Sequence, residues 1–227
     1  MMDIQKKKIE RWGCFELSLE GPADGNPFID VEISARFINE DGTNVKVIGF
    51  YDGDGIYCLR FMPEITGMWK YTTESNINSL NGKTGELICV DPSGDNHGHV
   101  RVHNTFYFCY ADGVPYHQFG TTCYAWAHQG DEMEEQTLKT LADAPFNKMR
   151  MCIFPKDYVY NKNEPVYYPF DGKPLKDWDF TRFNPEFWRH FEKRVLDLQK
   201  FGIEADIILS TPRADYVYRF ISYKPYV

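Results

Sequence analysis

The sequence predicts a multidomain protein of the β plus α/β class: a β-sandwich followed by a unit in which strands alternate with helices. Three observations carry this. Across residues 9–102, short runs with period-two alternation are separated by clusters of Gly, Asp, Asn and Pro, the pattern of an all-β domain. Beyond residue 98, apolar strands alternate with amphipathic helical segments, which implies parallel strands joined by crossovers. The length, 227 residues, accommodates two modest domains at roughly 100 to 200 residues each.

In the first region the breaks are Gly21-Pro22-Ala23-Asp24-Gly25-Asn26-Pro27, Asn39-Glu40-Asp41-Gly42, Asp52-Gly53-Asp54-Gly55 and residues 76–85. These residue types tolerate positive φ or preset a turn. Between them, residues 31–38, 45–51, 56–62, 68–73 and 86–90 read as strands. In Tyr57-Cys58-Leu59-Arg60-Phe61 and Trp69-Lys70-Tyr71-Thr72 a large apolar side chain takes every second position, as in a half-buried strand. About seven such strands make a sandwich.

The small, polar, turn-forming stretch Asp91-Pro92-Ser93-Gly94-Asp95-Asn96-His97-Gly98 is the linker candidate, dividing the chain into residues 1–98 and 99–227. Residues 106–110 and 115–121, around Ala111-Asp112-Gly113, suggest a hairpin. A helix then starts at Asp131 with Glu134 three residues on, resembling a capping box. It places Met133, Thr137, Leu138 and Leu141 on one face and stops at Pro145. The apolar strand 149–154 follows. A second helix has Asn184 as its N-cap and Pro185 at its first position. Phe187, Phe191, Val195 and Leu198 recur at helical spacing until Gly202 ends it, and residues 203–209 are the next strand.

Composition excludes several functions. Against 25 Lys plus Arg stand 33 Asp plus Glu, a formal net charge of -8, so neither nucleic acid nor an anionic membrane surface is the expected partner. No apolar run approaches the ~20 residues of a membrane span. The start, with Lys6, Lys7 and Lys8, lacks the apolar core of a signal peptide; a cytoplasmic location is expected. Cys14, Cys58, Cys89, Cys109, Cys123 and Cys152 form no C-x-x-C pair and lie in apolar stretches, so reduced, buried thiols are expected. Oligomeric state leaves no signal.

Specific motifs go further. Glu10-Arg11-Trp12-Gly13 with Phe15-Glu16, Phe50-Tyr51-Asp52-Gly53-Asp54-Gly55, Arg60-Phe61-Met62-Pro63 and Gly67-Met68-Trp69-Lys70-Tyr71 together resemble the sandwich domain at the front of apiosidase-like glycoside hydrolases. Gly120-Thr121-Thr122-Cys123-Tyr124-Ala125-Trp126, Pro145-Phe146-Asn147-Lys148 with Arg150-Met151-Cys152, and Phe154-Pro155-Lys156 resemble the opening of their (β/α)8 catalytic barrel. The resemblance spans most of residues 9–209. It implies an Ig-like β-sandwich over residues 1–98, then an incomplete (β/α)8 barrel of about three strands over 99–227. The function it implies is that of a bacterial carbohydrate-active enzyme working on plant or similar polysaccharides.

A full barrel takes roughly 250 residues, whereas 123 follow Asn104. In the enzymes this chain resembles, the acid/base and nucleophile often follow the fourth and seventh strands. The resemblance therefore implies an amino-terminal portion inactive on its own because that pair is missing. A non-catalytic carbohydrate-binding or interaction module and a truncated gene product without selected function are the alternatives.

Glycoside hydrolysis needs two carboxyl groups flanking the scissile bond. Asn163-Glu164-Pro165 matches a short acid/base motif of many barrel glycosidases, but Glu164 follows the second strand rather than the fourth, so it is a weak catalytic candidate. Residues 155–183 form a long connection bearing Tyr158, Tyr160, Tyr167, Tyr168, Phe170, Trp178, Phe180 and Phe183. Connections this long are usually functional, and flat rings suit the C–H faces of a sugar; a small core of the loop's own is the other reading. Trp126 and His128 after the first strand, and Lys156 and Asp157 after the second, hold equivalent positions at the carboxyl ends of strands, where barrel sites form. With Tyr158, Tyr160 and Trp178 they are the expected substrate-binding set, and carbohydrate is the expected partner. His97, His99 and His103 lack completing carboxylates or cysteines, so neither a metal nor a cofactor is expected.

Overall fold

The computed structural model describes residues 7–154, 164–172 and 177–209. The chain divides into two compact units between His117 and Gln118.

The first unit runs β1 (Lys7–Glu10), β2 (Phe15–Glu20), a single helical turn α1 (Pro27–Asp30), β3 (Ile33–Asn39), β4 (Asn44–Ile48), β5 (Phe50–Gly53), β6 (Ile56–Phe61), β7 (Gly67–Ser75) and β8 (Thr84–Val90). One sheet has the order β1-β8-β7-β3-β4 and the other β2-β6-β5. Pairing is antiparallel except between β1 and β8. The period-two pattern expected from sequence points one set of side chains inward from each sheet. Ala35 and Phe37 of β3, Tyr57, Leu59 and Phe61 of β6, Trp69 of β7 and Leu87 of β8 form one buried cluster. Phe37 stacks on Phe61 at 4.1 Å, and Trp69 meets Phe61 edge-on at 4.9 Å. The Trp69 indole N–H is satisfied by Ile65 O at 2.9 Å.

One expected strand, 45–51, is in fact two. Gly49 breaks it, and the chain passes there from the first sheet to the second. A Cβ at Gly49 would lie 2.8 Å from both Cys58 O and Ile33 Cγ2, too close for any other residue without backbone displacement.

The expected linker at residues 91–98 is tied down. Asn96 Nδ2 donates to Glu10 Oε2 (3.2 Å) and Arg11 O (3.1 Å), Ser93 N donates to Glu10 Oε2 (3.2 Å), and His97 Nδ1 lies 2.7 Å from Asp112 Oδ2. The unit extends to His117, beyond the division expected after Gly98. It carries an antiparallel hairpin, β9 (Val100–His103) with β10 (Tyr107–Tyr110). The expected hairpin of 106–110 with 115–121 is present only in short form: Tyr110 N donates to Val114 O (2.8 Å) and Tyr116 N to Phe108 O (3.0 Å) about a Cys109–Pro115 bridge, while the longer pairing of β10 is back to β9.

The second unit contains β11 (Gly120–Thr122), a 3-10 turn (Trp126–His128), α2 (Asp131–Ala142), β12 (Lys148–Cys152), β13 (Phe170–Asp171), β14 (Asp179–Phe183), α3 (Pro185–Gln199) and β15 (Glu204–Ile208). Strands β11, β12 and β15 form a parallel sheet in that order, as the alternation of strand and helix requires. Met149 and Met151 are fully buried and cluster with Leu138 and Leu141 of α2 and Phe187, Phe191 and Leu198 of α3. Alternation turns Arg150 to the other face, where Arg150 and Lys148 each reach Asp206 Oδ2 of β15 at 2.8 Å. α3 begins as expected, with Asn184 accepting from Glu186 N–H at 3.2 Å and Pro185 in the first turn. α2 does not. Its cap is Gly130, at φ +85° with nothing near its Cβ position, so the backbone conformation alone demands glycine there.

All six cysteines are free thiols, with Cys58, Cys89, Cys109 and Cys152 buried as expected; Cys14 departs from the expectation by being exposed. No described helix is long and apolar enough to cross a membrane.

Candidate functional site

The carboxyl ends of β11 and β12 lead into the segments that carry most of the expected site residues. Lys156, Asp157, Tyr158 and Tyr160 lie outside the described residues. Trp126 and His128 turn inward rather than outward, each only 3% exposed. Trp126 donates its indole N–H to Glu134 O (3.1 Å) and joins the core beneath the 3-10 turn. Its large apolar area explains why burial prevails over exposure to a ligand.

His128 stacks on Phe187 at 5.9 Å and 12°. Its Nε2 lies 3.1 Å from Cys152 O, which assigns the ring proton to Nε2, since a carbonyl can only accept. Nδ1 is then a bare acceptor, buried and without a partner among the described residues. Burial, with a smaller contribution from nearby His190, lowers the imidazole pKa from 6.5 to about 4, so the ring is neutral near pH 7.

The aromatic connection has structure of its own. β13 and β14 form a short antiparallel ribbon, and the rings pack mainly on one another. Phe170 lies at the centre, 5.0 Å from Phe183, 5.2 Å from Phe180, 6.1 Å from Phe154 and 6.5 Å from Trp178. Trp178 also meets Tyr168 at 6.1 Å and Phe180 at 5.7 Å, and is itself only partly buried. Its indole N–H has no partner among the described residues. Tyr168 donates its hydroxyl to Glu164. Burial first, then that hydrogen bond, pushes the phenol up to about 12. Glu164 is exposed and held by a neutral phenol, and Tyr168 is the group it orients.

Between the starts of α2 and α3 lies a cavity of about 100 Å³ lined by Ala127, His128, Gly130, Asp131, Glu134, Val166, Tyr167 and His190. Glu134, expected as part of a capping box, is fully buried. Its Oε1 does accept from Gly130 N–H at 3.1 Å, but Oε2 lies 2.6 Å from Arg194 Nε and 2.9 Å from His190 Nε2. Arg194, 1% exposed, also bonds Asp131 (2.9 Å), Glu135 (2.5 Å) and Asp197 (3.2 Å). Burial opposes its charge, but the hydrogen bonds to Glu135 and Glu134 outweigh that and raise its pKa. For Asp197 burial is likewise outweighed, here by hydrogen bonds from Lys200 and Lys193, which bring the carboxyl down to about 2.

Sequence reasoning missed this network. Arg194 lies 60 positions from Glu134, and within the helical pattern of α3 it looks like a solvated charge. One signal was available: Arg194 falls between Phe191 and Leu198 on the stripe that faces α2. The histidines considered for a metal do not converge. His97 pairs with Asp112, while His103 Nε2 meets its neighbour Asn104 at 3.0 Å.

Comparison with known proteins adds a direction. A family model described as a domain of unknown function (DUF5060) matches residues 8–76, from β1 through β7. No curated protein matches the chain. Among solved structures, the chain is similar to a "putative glycoside hydrolase" from Bacteroides vulgatus ATCC 8482, with 46% identity and a TM-score of 0.85, over 90% of this chain and 41% of that one. A family 39 glycoside hydrolase from the gut symbiont Bacteroides cellulosilyticus WH2 aligns over 90% of this chain and 32% of its own, at 14% identity and a TM-score of 0.27; it carries no structural argument. The chain thus spans about two-fifths of the Bacteroides vulgatus protein. It is glycoside hydrolase-like over nearly its whole described length.

Proposed function

We propose that this chain is the amino-terminal portion of a carbohydrate-active enzyme of the apiosidase-like kind, working on plant polysaccharides. In this reading it contributes a sugar-contacting surface and does not cleave glycosides by itself. The observation that carries the reading is the 46% identity to a protein described as a glycoside hydrolase. The parallel sheet β11-β12-β15 with α2 and α3 supports it, being the arrangement of the first strand–helix units of a (β/α)8 barrel. An Ig-like classification of the first unit agrees with its two sheets and shared core.

The chemistry of three described carboxylates supports inactivity in isolation. Hydrolysis requires an acid and a base or nucleophile roughly 5 to 9.5 Å apart across the bond. Glu134 is consumed by Arg194 and His190, Asp206 by Lys148 and Arg150, and Glu164 by Tyr168. The sugar-contacting surface is assigned to the aromatic connection, with Trp178 and Tyr168 as its described members and Lys156, Asp157, Tyr158 and Tyr160 beside them. A non-catalytic carbohydrate-binding module is the second reading, favoured by the partly exposed ring of Trp178. The test is hydrolysis of a panel of plant polysaccharides by the full chain. No release of reducing ends is expected, and release abolished by Glu164→Gln would overturn the assignment.

A further inference from the structure

Asp131, Glu134 and His190 offer donor atoms that all lie within 4.8 Å of one another, and they line the same cavity as His128. His128 is an independent pointer: it is 97% buried by its 3% exposure, Nε2 is fixed as donor to Cys152 O, and Nδ1 has no partner among the described residues. A histidine that donates one ring N–H to a backbone carbonyl keeps the other nitrogen as a lone pair, an acceptor for whatever occupies the cavity.

We propose that this cavity is a site for a first-row divalent cation of the zinc type, held by His190 Nε2 and the carboxylates of Glu134 and Asp131, with His128 Nδ1 in the same cavity wall as the acceptor for a water on the cation. An imidazole with two carboxylates favours zinc over magnesium or calcium, which take oxygen ligands. Glu134 Oε2 and His190 Nε2 are 2.9 Å apart, while two ligands about 2.0–2.1 Å from a tetrahedral zinc are about 3.3 Å apart. The cation therefore enters with a shift of a few tenths of an ångström as it replaces the proton that His190 shares with Glu134. Asp131, with a largely exposed side chain, has the freedom to turn toward it.

Arg194 is the competing cation, already bonded to Glu134 Oε2 and Asp131 Oδ1. A carboxylate has about four lone-pair positions. Gly130, Arg194 and His190 use three on Glu134, and metal in place of the His190 proton requires no fourth. The charges also leave room. Four carboxylates (Asp131, Glu134, Glu135, Asp197) face three permanent cations (Lys193, Arg194, Lys200) in the connected network, an excess of one negative charge before the histidines are counted. The role this gives the metal is structural: it joins the 3-10 turn, the start of α2 and the middle of α3.

The test is calorimetric titration of the chelator-treated full chain with Zn²⁺ alone, paired with the visible spectrum of its Co²⁺ form. The expected result is saturable 1:1 binding with a tetrahedral Co²⁺ spectrum. Binding should weaken by about tenfold or more in both His190→Gln and His128→Asn, and be unchanged in His103→Gln, which removes a surface histidine. Circular dichroism checks that the variants remain folded, and His190→Gln, on the less buried residue, serves if His128→Asn does not. Absence of 1:1 uptake, or equal affinity in His190→Gln and the unsubstituted chain, would overturn the proposal.

Discussion

In the first unit the large buried side chains are Phe37, Tyr57, Leu59, Trp69 and Leu87, and the buried polar ones, Ser34, Asn39 and Thr73, carry no charge; in the second, Arg194, Glu134, Asp197 and His128 are buried beside Met149, Met151 and Phe187. Both units fold around a core, but they fix it differently. The sandwich relies on aromatic rings interleaved from two sheets, a non-directional contribution that scales with area. The α/β unit adds a charge network between α2 and α3, whose geometry is specific and whose loss leaves a charge stranded. Buried titratable groups concentrate where function is most often found, and here they share a unit with the aromatic connection.

The comparison can be broken most severely through the two cores. Phe37→Ala should cost about 3–5 kcal/mol, read as a loss of stability in denaturant titration, whatever the pH. Arg194→Met should cost about as much, roughly 3–5 kcal/mol, by leaving Glu134 charged and buried. Unlike the Phe37 effect, most of this loss should be recovered in the double variant with Glu134→Leu, because both charges are then gone. Additive losses in a double-mutant cycle would show that the network contributes no coupling.

A smaller effect distinguishes the units by pH. His128 has an ordinary pKa of 6.5 in the unfolded chain and about 4 when folded. Between these values the unfolded chain binds the extra proton. Stability from the neutral ring is therefore complete above about pH 6.5 and falls as the pH drops, levelling off below about 4. The loss reaches roughly 3 kcal/mol. The difference in stability between the unsubstituted chain and His128→Gln should follow that window, and a constant difference from pH 4 to 7 would contradict it. The smallest effect is local: Asn184→Ala removes the cap of α3 at a cost of about 1 kcal/mol, and Asn184→Asp should restore most of it.

The same contrast explains what could be read from sequence. Alternation in β6 and β7 and the Asn184-Pro185 start of α3 are local signals, and they recur in the structure with small shifts of boundary. Gly49 was hidden inside an apparently continuous strand, because the need for glycine comes from Cys58 and Ile33 on neighbouring strands. Glu134 looked like a cap because its position relative to Asp131 fits one; its decisive partners, Arg194 and His190, lie on another helix. Trp126 and His128 were correctly placed after the first parallel strand, yet strand position does not say which way a side chain turns. The rings of the aromatic connection were legible as a group, but their centring on Phe170 was not.

Calorimetric titration of the full chain with plant-polysaccharide oligosaccharides tests the central claim, a glycoside hydrolase-like chain that holds its sugar through the aromatic connection of the second unit. Saturable binding, weakened about tenfold or more by Trp178→Ala and unchanged by Phe50→Ala on the sandwich, is the predicted result. No binding to any member of the panel, or binding equally strong in Trp178→Ala, would contradict it.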